Sequence, residues 1–195
     1  MKFDIVLAGV GGQGVLSMAA LIGRAAVIER LKVKQSEVHG MAQRGGAVQA
    51  HLRLSDSLIE SDLIPAGTAN LILSLEPVEA LRYLPSLSPM GTLVTASNAV
   101  VNIPDYPEMD QVLVKLHSLP KAWVVDAESI AEAAGDPLTV NTVMVGAAAH
   151  LLPLRLESLE QAIVATFTAK GDPTLQANLR AFRAARDVPH STAAK

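Results

Sequence analysis

The segment that most constrains the fold is "GVGGQGV", residues 9–15, because it joins two segments of different pattern. Residues 2–10, "KFDIVLAGV", form a nearly continuous apolar run that is typical of a buried parallel strand. Residues 15–30, "VLSMAALIGRAAVIER", contain few helix breakers and predict a long helix. The glycines between them follow the pattern G-x-G-x-x-G, which in this context makes a tight turn next to a helix N-terminus.

The pattern beyond the first helix predicts the rest of an α/β fold. Apolar and alternating runs predict strands at residues 32–36, 47–55, 70–77, 91–97 and 122–128. From residue 128 onward the chain reads as successive helices. We therefore predict a Rossmann-like, open, mostly parallel sheet with helices on both faces and a helical C-terminal third. Residues 1–188 are expected to form a single α/β domain, and residues 189–195 a frayed tail.

Three local signals predict finer boundaries. The two prolines in residues 98–110 predict a loop at an edge of the sheet. Ser158 with Gln161 predicts a capping box at one helix start. Asp172 before a proline predicts an N-cap at another.

Composition constrains the location of the chain and its binding partners. Half of the residues are hydrophobic but only 3% are aromatic, and the mean hydropathy is +0.32. No apolar run approaches the roughly 20 residues that span a bilayer, and no leader precedes the first strand, so we expect a cytoplasmic chain without membrane contact. The apolar surplus favours a permanent interface with another subunit. A tightly packed core of small aliphatic side chains is the alternative explanation.

Charge and cysteine content exclude two functional classes. The net charge of −3 argues against a nucleic-acid partner, which would favour a basic surface. The chain contains no cysteine, so it cannot supply the thiolates that hold iron–sulfur clusters, nor a thiol nucleophile. No histidine pair has the spacing of metal ligands, and no G-x-S-x-G motif is present. No metal site is predicted.

The first glycine segment predicts an anion site. Free backbone N–H groups and the dipole of the following helix favour a phosphate or carboxylate there. A dinucleotide site would also need an acidic residue at the end of the second strand, about 20 residues further on. Glu29 lies at nearly the right distance in sequence but at a predicted helix end. Glu37 lies at the strand end but further along the chain than the motif requires. A tight turn without a ligand is the alternative. The candidate binding residues are Gly11, Gly12, Gln13 and Gly14.

A second glycine segment, "SEVHGMAQRGGAV" at residues 36–48, connects two predicted strands. It should lie at the same edge of the sheet as the first segment, where open α/β sheets bind ligands. Arg44 can bind a carboxylate or phosphate bidentately, and His39 is a candidate proton carrier. Alternatively, Arg44 pairs with Glu37, and His39 makes a hydrogen bond that shapes the loop. The candidate binding residues are Glu37, Gln43, Arg44, Gly45 and Gly46.

Taken together, "AGVGGQGV" and "SEVHGMAQRGGAV" resemble the gamma-type domain of the 2-oxoacid:ferredoxin oxidoreductases, and within that family the members that act on indolepyruvate. The likeness covers most of the chain, including "AAGDPLTVNTVMVGAAA" at residues 133–149, where Asn141 opens a helix of small residues. The resemblance implies a non-redox subunit, inactive alone, of a complex that oxidatively decarboxylates an arylpyruvate such as indolepyruvate to an acyl-CoA. Ferredoxin is the implied electron acceptor.

The resemblance also implies which chain holds each cofactor. Thiamine diphosphate, magnesium and the iron–sulfur clusters would belong to a large partner subunit, with coenzyme A as co-substrate. This chain would bind no cofactor alone, since it lacks cysteine and the G-D-G with paired asparagines that marks thiamine enzymes. Its glycine segments would complete the pocket near thiamine or seat coenzyme A, and the isolated chain can form a homodimer. Two alternatives stay open: a stand-alone Rossmann-type enzyme using NAD(P) or S-adenosylmethionine, and a purely structural subunit.

Overall fold

The computed structural model describes residues 1–40 and 45–188 and contains a six-stranded sheet in the order β2-β3-β1-β4-β5-β6. Strand β3 runs antiparallel to both of its neighbours, while β1, β4, β5 and β6 are mutually parallel. The predicted open, mostly parallel sheet is therefore confirmed. The strands are β1 (Lys2–Val10), β2 (Lys32–His39), β3 (Ala47–Ser55), β4 (Ala69–Ser74), β5 (Leu87–Ala96) and β6 (Ala122–Val125).

Helices cover both faces of the sheet, as predicted, and dominate the C-terminal third. On one face, α1, α4, α5, α6 and α7 pack with side chains such as Leu7, Leu52 and Leu73 around one large apolar cluster. On the other face, α2 and α3 pack on Val6 and Ile72 in a smaller cluster. The helices are α1 (Val15–Ile28), α2 (Pro77–Arg82), α3 (Met109–His117), α4 (Ala127–Ala133), α5 (Val140–Ala147), α6 (Leu156–Phe167) and α7 (Asp172–Arg186).

Beside α2 and α3, the second face is covered by an irregular segment, residues 56–65. Arg53 of β3 binds Asp4 of β1 through two hydrogen bonds of 2.9 and 3.1 Å. The same guanidinium donates to the carbonyl oxygens of Ser61 (2.9 Å) and Leu63 (2.7 Å). Buried side chains on the sheet thus satisfy backbone groups of a segment that has no ladder of its own.

Several predicted strand boundaries are wrong by a few residues. Strand β2 continues to His39, so Glu37 and His39 lie in a strand and not in the connecting loop. The predicted strand at 122–128 ends at Val125, because the Asp126 side chain accepts a hydrogen bond from Ser129 N (3.2 Å) and caps α4. The predicted loop 98–110 overlaps the start of α3, which begins at Met109.

The two predicted helix caps are also displaced. Ser158 lies inside α6, is buried in the core, and does not cap the helix, which begins after an extended Arg155. Asp172 is the first residue of α7, and Gly171 occupies the N-cap position. The predicted tail, residues 189–195, lies outside the described residues. Within the described ranges, no helix is long and apolar enough to cross a membrane.

Candidate functional site

The candidate site lies at the edge of the sheet where the parallel strands have their carboxyl ends, here called the carboxyl rim. The connections that follow the neighbouring strands β1 and β4 leave in opposite directions, since α1 packs on one face of the sheet and α2 on the other. Such a switch point opens a crevice between strand ends, where open α/β sheets commonly bind ligands. The first glycine segment follows β1 at this point.

The side chain of Gln13 bridges this crevice. Its Oε1 accepts a hydrogen bond from Val10 N (2.7 Å), and its Nε2 donates to Leu75 O (3.0 Å). A Cβ at Gly9 would lie only 3.0 Å from that Oε1 and 2.9 Å from Val15 Cγ2, so this close approach requires glycine. Both ends of the Gln13 amide are engaged within the chain, and its predicted contact with a ligand stays a prediction.

Gly14 occupies the N-cap position of α1. Its φ of +93° lies in the left-handed region, which favours glycine. A Cβ there would also lie 3.1 Å from Asn141 Nδ2, so α5 packs closely against the turn. No side chain caps α1, and its first turn holds no acidic residue. This N-terminus therefore keeps the N–H groups and dipole that favour an anion.

The two glycine segments bond to each other through the backbone. Gly11 N donates to Gly46 O (2.8 Å), and Gly45 N donates to Gly11 O (3.2 Å). Asn102 Nδ2 adds a third contact by donating to Gly45 O (2.8 Å). Both segments lie at one edge of the sheet, as the sequence pattern predicts, and they are in direct contact there.

The other candidate residues have varied positions. Gly12 has a φ of +106°, and a Cβ there would meet no atom within 4 Å, so its backbone is open to an approaching molecule. Glu37 is exposed and pairs with Ala50 in the ladder between β2 and β3. His39 is the last residue of β2. Gln43 and Arg44 lie outside the described residues, and so does the alternative pairing of Arg44 with Glu37.

The geometry disfavours a dinucleotide site of the usual kind. Glu29 accepts a hydrogen bond from Arg155 N (2.7 Å) and links the C-terminal end of α1 to the start of α6, away from the carboxyl rim. Strand β3 separates β1 from β2. An acidic residue at the end of β2 thus lies about 10 Å from β1, twice the usual strand spacing.

Glu76 and Tyr106 also contribute to the carboxyl rim, although neither belongs to the two glycine segments. Glu76 directly follows the apolar run of β4 and is 1% exposed. Its Oε2 accepts a hydrogen bond from Glu79 N (2.7 Å), and its Oε1 accepts one from the hydroxyl of Tyr106. An acidic residue just after a buried strand is a signal that could have identified Glu76. Tyr106 lies in an irregular segment and gives no such signal.

Burial governs protonation around Glu76. Burial raises the pKa of the Glu79 carboxyl, Arg82 opposes the shift, and the charge of Glu76 reinforces it. Arg82 Nε lies 3.1 Å from Glu79 Oε2, but that oxygen accepts no hydrogen bond from any residue in the described part of the chain. Burial, followed by the hydrogen bond to Glu76, raises the pKa of Tyr106 far above its usual value, so its hydroxyl keeps its proton and donates.

The residues at the rim do not fit an iron–sulfur cluster or a metal–diphosphate site. The chain has no cysteine. Residues 1–40 and 45–188 contain no group of three or more histidine, aspartate or glutamate side chains that could hold a metal ion. What the rim offers instead is backbone N–H groups, an uncapped helix N-terminus and small residues. This set suits an anionic organic group.

Comparison with known proteins assigns the family. The family model described as "Pyruvate ferredoxin/flavodoxin oxidoreductase" matches residues 4–188. A protein named indolepyruvate oxidoreductase subunit IorB, from Archaeoglobus fulgidus, is 39% identical over 94% of this chain and 93% of its own length. A 2-oxoglutarate synthase subunit KorC, from Methanothermobacter marburgensis, is 25% identical over 96% of this chain and 97% of its own length.

Solved structures share the fold. Pyruvate oxidoreductase subunit PORC from Thermotoga maritima aligns with a TM-score of 0.69 at 26% identity, over 95% of this chain and 96% of that one. A 2-oxoglutarate:ferredoxin oxidoreductase from Magnetococcus marinus aligns with a TM-score of 0.75 at 18% identity, over 97% of this chain but only 32% of that one.

The fold and the rim define an α/β domain with two paired glycine segments and no metal-binding equipment in its described part. The chain belongs to the pyruvate ferredoxin/flavodoxin oxidoreductase family. The resemblance drawn from the two glycine segments is therefore confirmed.

Proposed function

We propose that this chain is the small, non-redox subunit of an indolepyruvate or related arylpyruvate:ferredoxin oxidoreductase. Its similarity to the Archaeoglobus fulgidus IorB subunit over nearly the whole of both chains supports the proposal. Since the chain has no cysteine, the redox chemistry falls to a large partner subunit with thiamine diphosphate, magnesium and iron–sulfur clusters. Thiamine supplies the decarboxylation chemistry in that subunit, and ferredoxin accepts the electrons.

The observation that carries the proposal is the pairing of the two glycine segments at the carboxyl rim. This pairing places the open backbone of Gly12 and the uncapped N-terminus of α1 on one surface. Backbone N–H groups there would bind a phosphate of coenzyme A or the carboxylate of the oxoacid, and the Magnetococcus marinus structure has coenzyme A bound. Arg44 would add a bidentate contact, and His39 is a candidate for moving a proton.

Exposed apolar side chains surround the same rim. Leu16 follows the first glycine segment, Val38 lies in the second, and Leu138 precedes α5. Val101, next to Asn102, is 74% exposed, and Leu138 is 86% exposed. Large apolar side chains around a polar site favour burial against another subunit. The large subunit would cover this rim in the complex, and an isolated chain would form a homodimer to cover it.

The two hydrogen bonds that the Gln13 side chain makes within the chain favour a second candidate function. This candidate is a purely structural subunit whose glycine segments contact only protein. Arg44→Ala in the assembled complex separates the two. If the rim binds substrate, the KM for coenzyme A or the oxoacid should rise about tenfold or more, because a charged hydrogen bond is lost, with kcat little changed. The control is Arg24→Ala on α1, where an exposed arginine makes one long bond of 3.4 Å to Ala165 O.

Unchanged KM values in Arg44→Ala, with intact assembly, would favour the structural subunit. Purified alone, the chain should be colourless and inactive. Oxidation of indolepyruvate by the isolated chain, with coenzyme A and a dye acceptor, would contradict the division of labour. Micromolar binding of NAD(P) or S-adenosylmethionine to the isolated chain, measured by calorimetry, would favour a stand-alone enzyme instead.

A further inference from the structure

We propose that Tyr106 is a positioning residue: its hydroxyl, bound to Glu76, fixes the irregular segment 98–108 so that Asn102 holds the two glycine segments in register. The structural role of Tyr106 is argued from contacts within the chain, and the effect of Tyr106 on substrate binding rests on the function proposed above.

The rim segment, residues 98–108, has neither helix nor strand to hold it. Side chains along it bond to neighbouring elements instead. Near its start, Asn98 Nδ2 donates to Glu128 Oε2 (2.8 Å), and in its middle Asn102 donates to Gly45 O. Near its end, the Tyr106 hydroxyl donates to Glu76 Oε1. The path of this segment over the rim is therefore set by side-chain hydrogen bonds.

The bond at Tyr106 is the strongest of these anchors by chemistry and burial. Its acceptor is a carboxylate that is 1% exposed and is itself fixed by Glu79 N. Hydrogen bonds to charged groups are stronger than neutral ones such as that from Asn102 to Gly45 O. Asn98 also donates to a carboxylate, but Glu128 is exposed, so water competes for that bond. Pro104 and Pro107 flank the tyrosine and restrict the backbone on both sides.

The anchor reaches the glycine segments through a continuous series of bonds. Asn102 lies four residues before Tyr106 and bonds to Gly45 O. Gly45 N in turn bonds to Gly11 O, and Gly11 N bonds to Gly46 O. Losing the anchor would free Asn102 to move with its segment. The pairing of the two glycine segments would then open more often.

Hydrogen exchange on the full-length chain tests the inference directly. Tyr106→Phe keeps the aromatic ring and removes the hydroxyl, and with it the bond to Glu76 and the weaker contact of 3.7 Å to Met109 Sδ. We expect the amides of Gly11 and Gly45 to exchange about tenfold faster or more, with the amides of β1 and β4 unchanged. The matched control is Tyr83→Phe, because the chain has two tyrosines and Tyr83 lies at the end of α2. Unchanged exchange at Gly11 and Gly45 in Tyr106→Phe overturns the inference.

A second variant tests whether Tyr106 acts through Asn102. Asn102→Ala should speed exchange at Gly11 and Gly45 as Tyr106→Phe does, because it removes the last bond of the series. Combining Asn102→Ala with Tyr106→Phe should then add nothing further at these two amides. Full additivity of the two changes would mean that Tyr106 acts by another route, and would overturn the inference.

Kinetics of the complex reconstituted with the large subunit separate this inference from the proposed function. Tyr106→Phe should raise the KM for coenzyme A or the oxoacid several-fold and leave kcat unchanged, whereas general damage to the fold would lower the active fraction. Faster exchange with an unchanged KM supports the positioning role and contradicts a pocket at the glycine segments. A raised KM without faster exchange supports the pocket and overturns the positioning role.

Discussion

The two faces of the sheet are covered in different ways, and their side chains differ accordingly. On the face under α1, α4, α5, α6 and α7, the sheet contributes an apolar layer such as Leu7, Leu52 and Leu73. On the other face, the part under α2 and α3 is also apolar, but the part under residues 56–65 holds Asp4, Arg53 and His51. A strand such as β3 therefore presents leucines to one side and charged or polar groups to the other.

The difference shows which side chains the sheet must present beneath a helix and which beneath an irregular segment. A helix satisfies its own backbone, so the sheet under it needs only apolar contact. An irregular segment brings unpaired N–H and C=O groups, and the sheet must supply partners for them. His51 Nδ1 accepts a hydrogen bond from Ile64 N (2.9 Å) in this way. Burial, together with the charge of Arg53, lowers the pKa of His51, which keeps the ring neutral and able to accept.

The largest expected effect on stability is in the part of the sheet under residues 56–65. Arg53→Met should lower the free energy of unfolding by about 3–5 kcal/mol, because Asp4 then stays buried without its bidentate partner and two carbonyl oxygens lose their donor. The control is Arg183→Met, which removes an ion pair to Glu160 whose arginine side chain is 52% exposed. That change should lower the free energy by less than about 1 kcal/mol. Urea denaturation measures both, and equal losses would contradict the contrast between the faces.

A smaller effect is expected where two helices meet on the opposite face. A Cβ at Gly146 in α5 would lie 2.4 Å from Phe182 O in α7, so Gly146→Ala should lower the free energy of unfolding by about 1–3 kcal/mol. Gly23 in α1 is the matched glycine, because a Cβ there would lie 3.6 Å from Val33 Cγ1, an ordinary contact. Gly23→Ala should stabilise the protein by about 0.5–1 kcal/mol. Stabilisation by both changes would show that α5 and α7 do not pack this closely.

The smallest effect concerns Glu79, which lies in α2 on the second face. Because burial raises the pKa of its carboxyl, the folded protein holds this proton to higher pH than the unfolded chain does. Stability therefore falls as pH rises above the usual carboxyl pKa of 4.5 and levels off above the folded pKa. Glu79→Gln should stabilise the protein by about 1 kcal/mol near pH 8 and lose this gain below about pH 4.

Calorimetric melting at both pH values tests this effect, with Glu132→Gln as the control, because Glu132 lies exposed on α4. The same gain from both variants would assign it to net charge and not to burial. A gain from Glu79→Gln that persists at acid pH would contradict a raised pKa.

Much of the fold could be predicted because it depends on local pattern. The run before "GVGGQGV" and the helix after it lie where the sequence places them, at β1 and α1. The antiparallel insertion of β3 between β1 and β2 could not be predicted, since a half-buried strand has the same alternation in either direction. The start of α3 at Met109 could not be placed, because only Val112 and Leu116 of this short amphipathic helix are buried.

The candidate site could likewise be predicted only in part. The glycine segments were recognisable because a tight turn and a close approach require residues without side chains, as at Gly14. The anchor of Tyr106 on Glu76 joins residues 30 positions apart, and no periodic pattern records it. Which strand ends meet, and which side chains therefore touch, depends on how the chain crosses over the sheet.

By itself, the sequence determined the α/β class, the family, the position of both glycine segments and the lack of cluster ligands, because each of these depends on residue type and local spacing. Only the tertiary structure decided that Gly11 bonds to Gly45 and Gly46, that Gln13 bridges the crevice, and that Glu76 holds Tyr106. These contacts join residues brought together by strand order, and strand order is fixed by long-range burial and pairing that no local segment encodes.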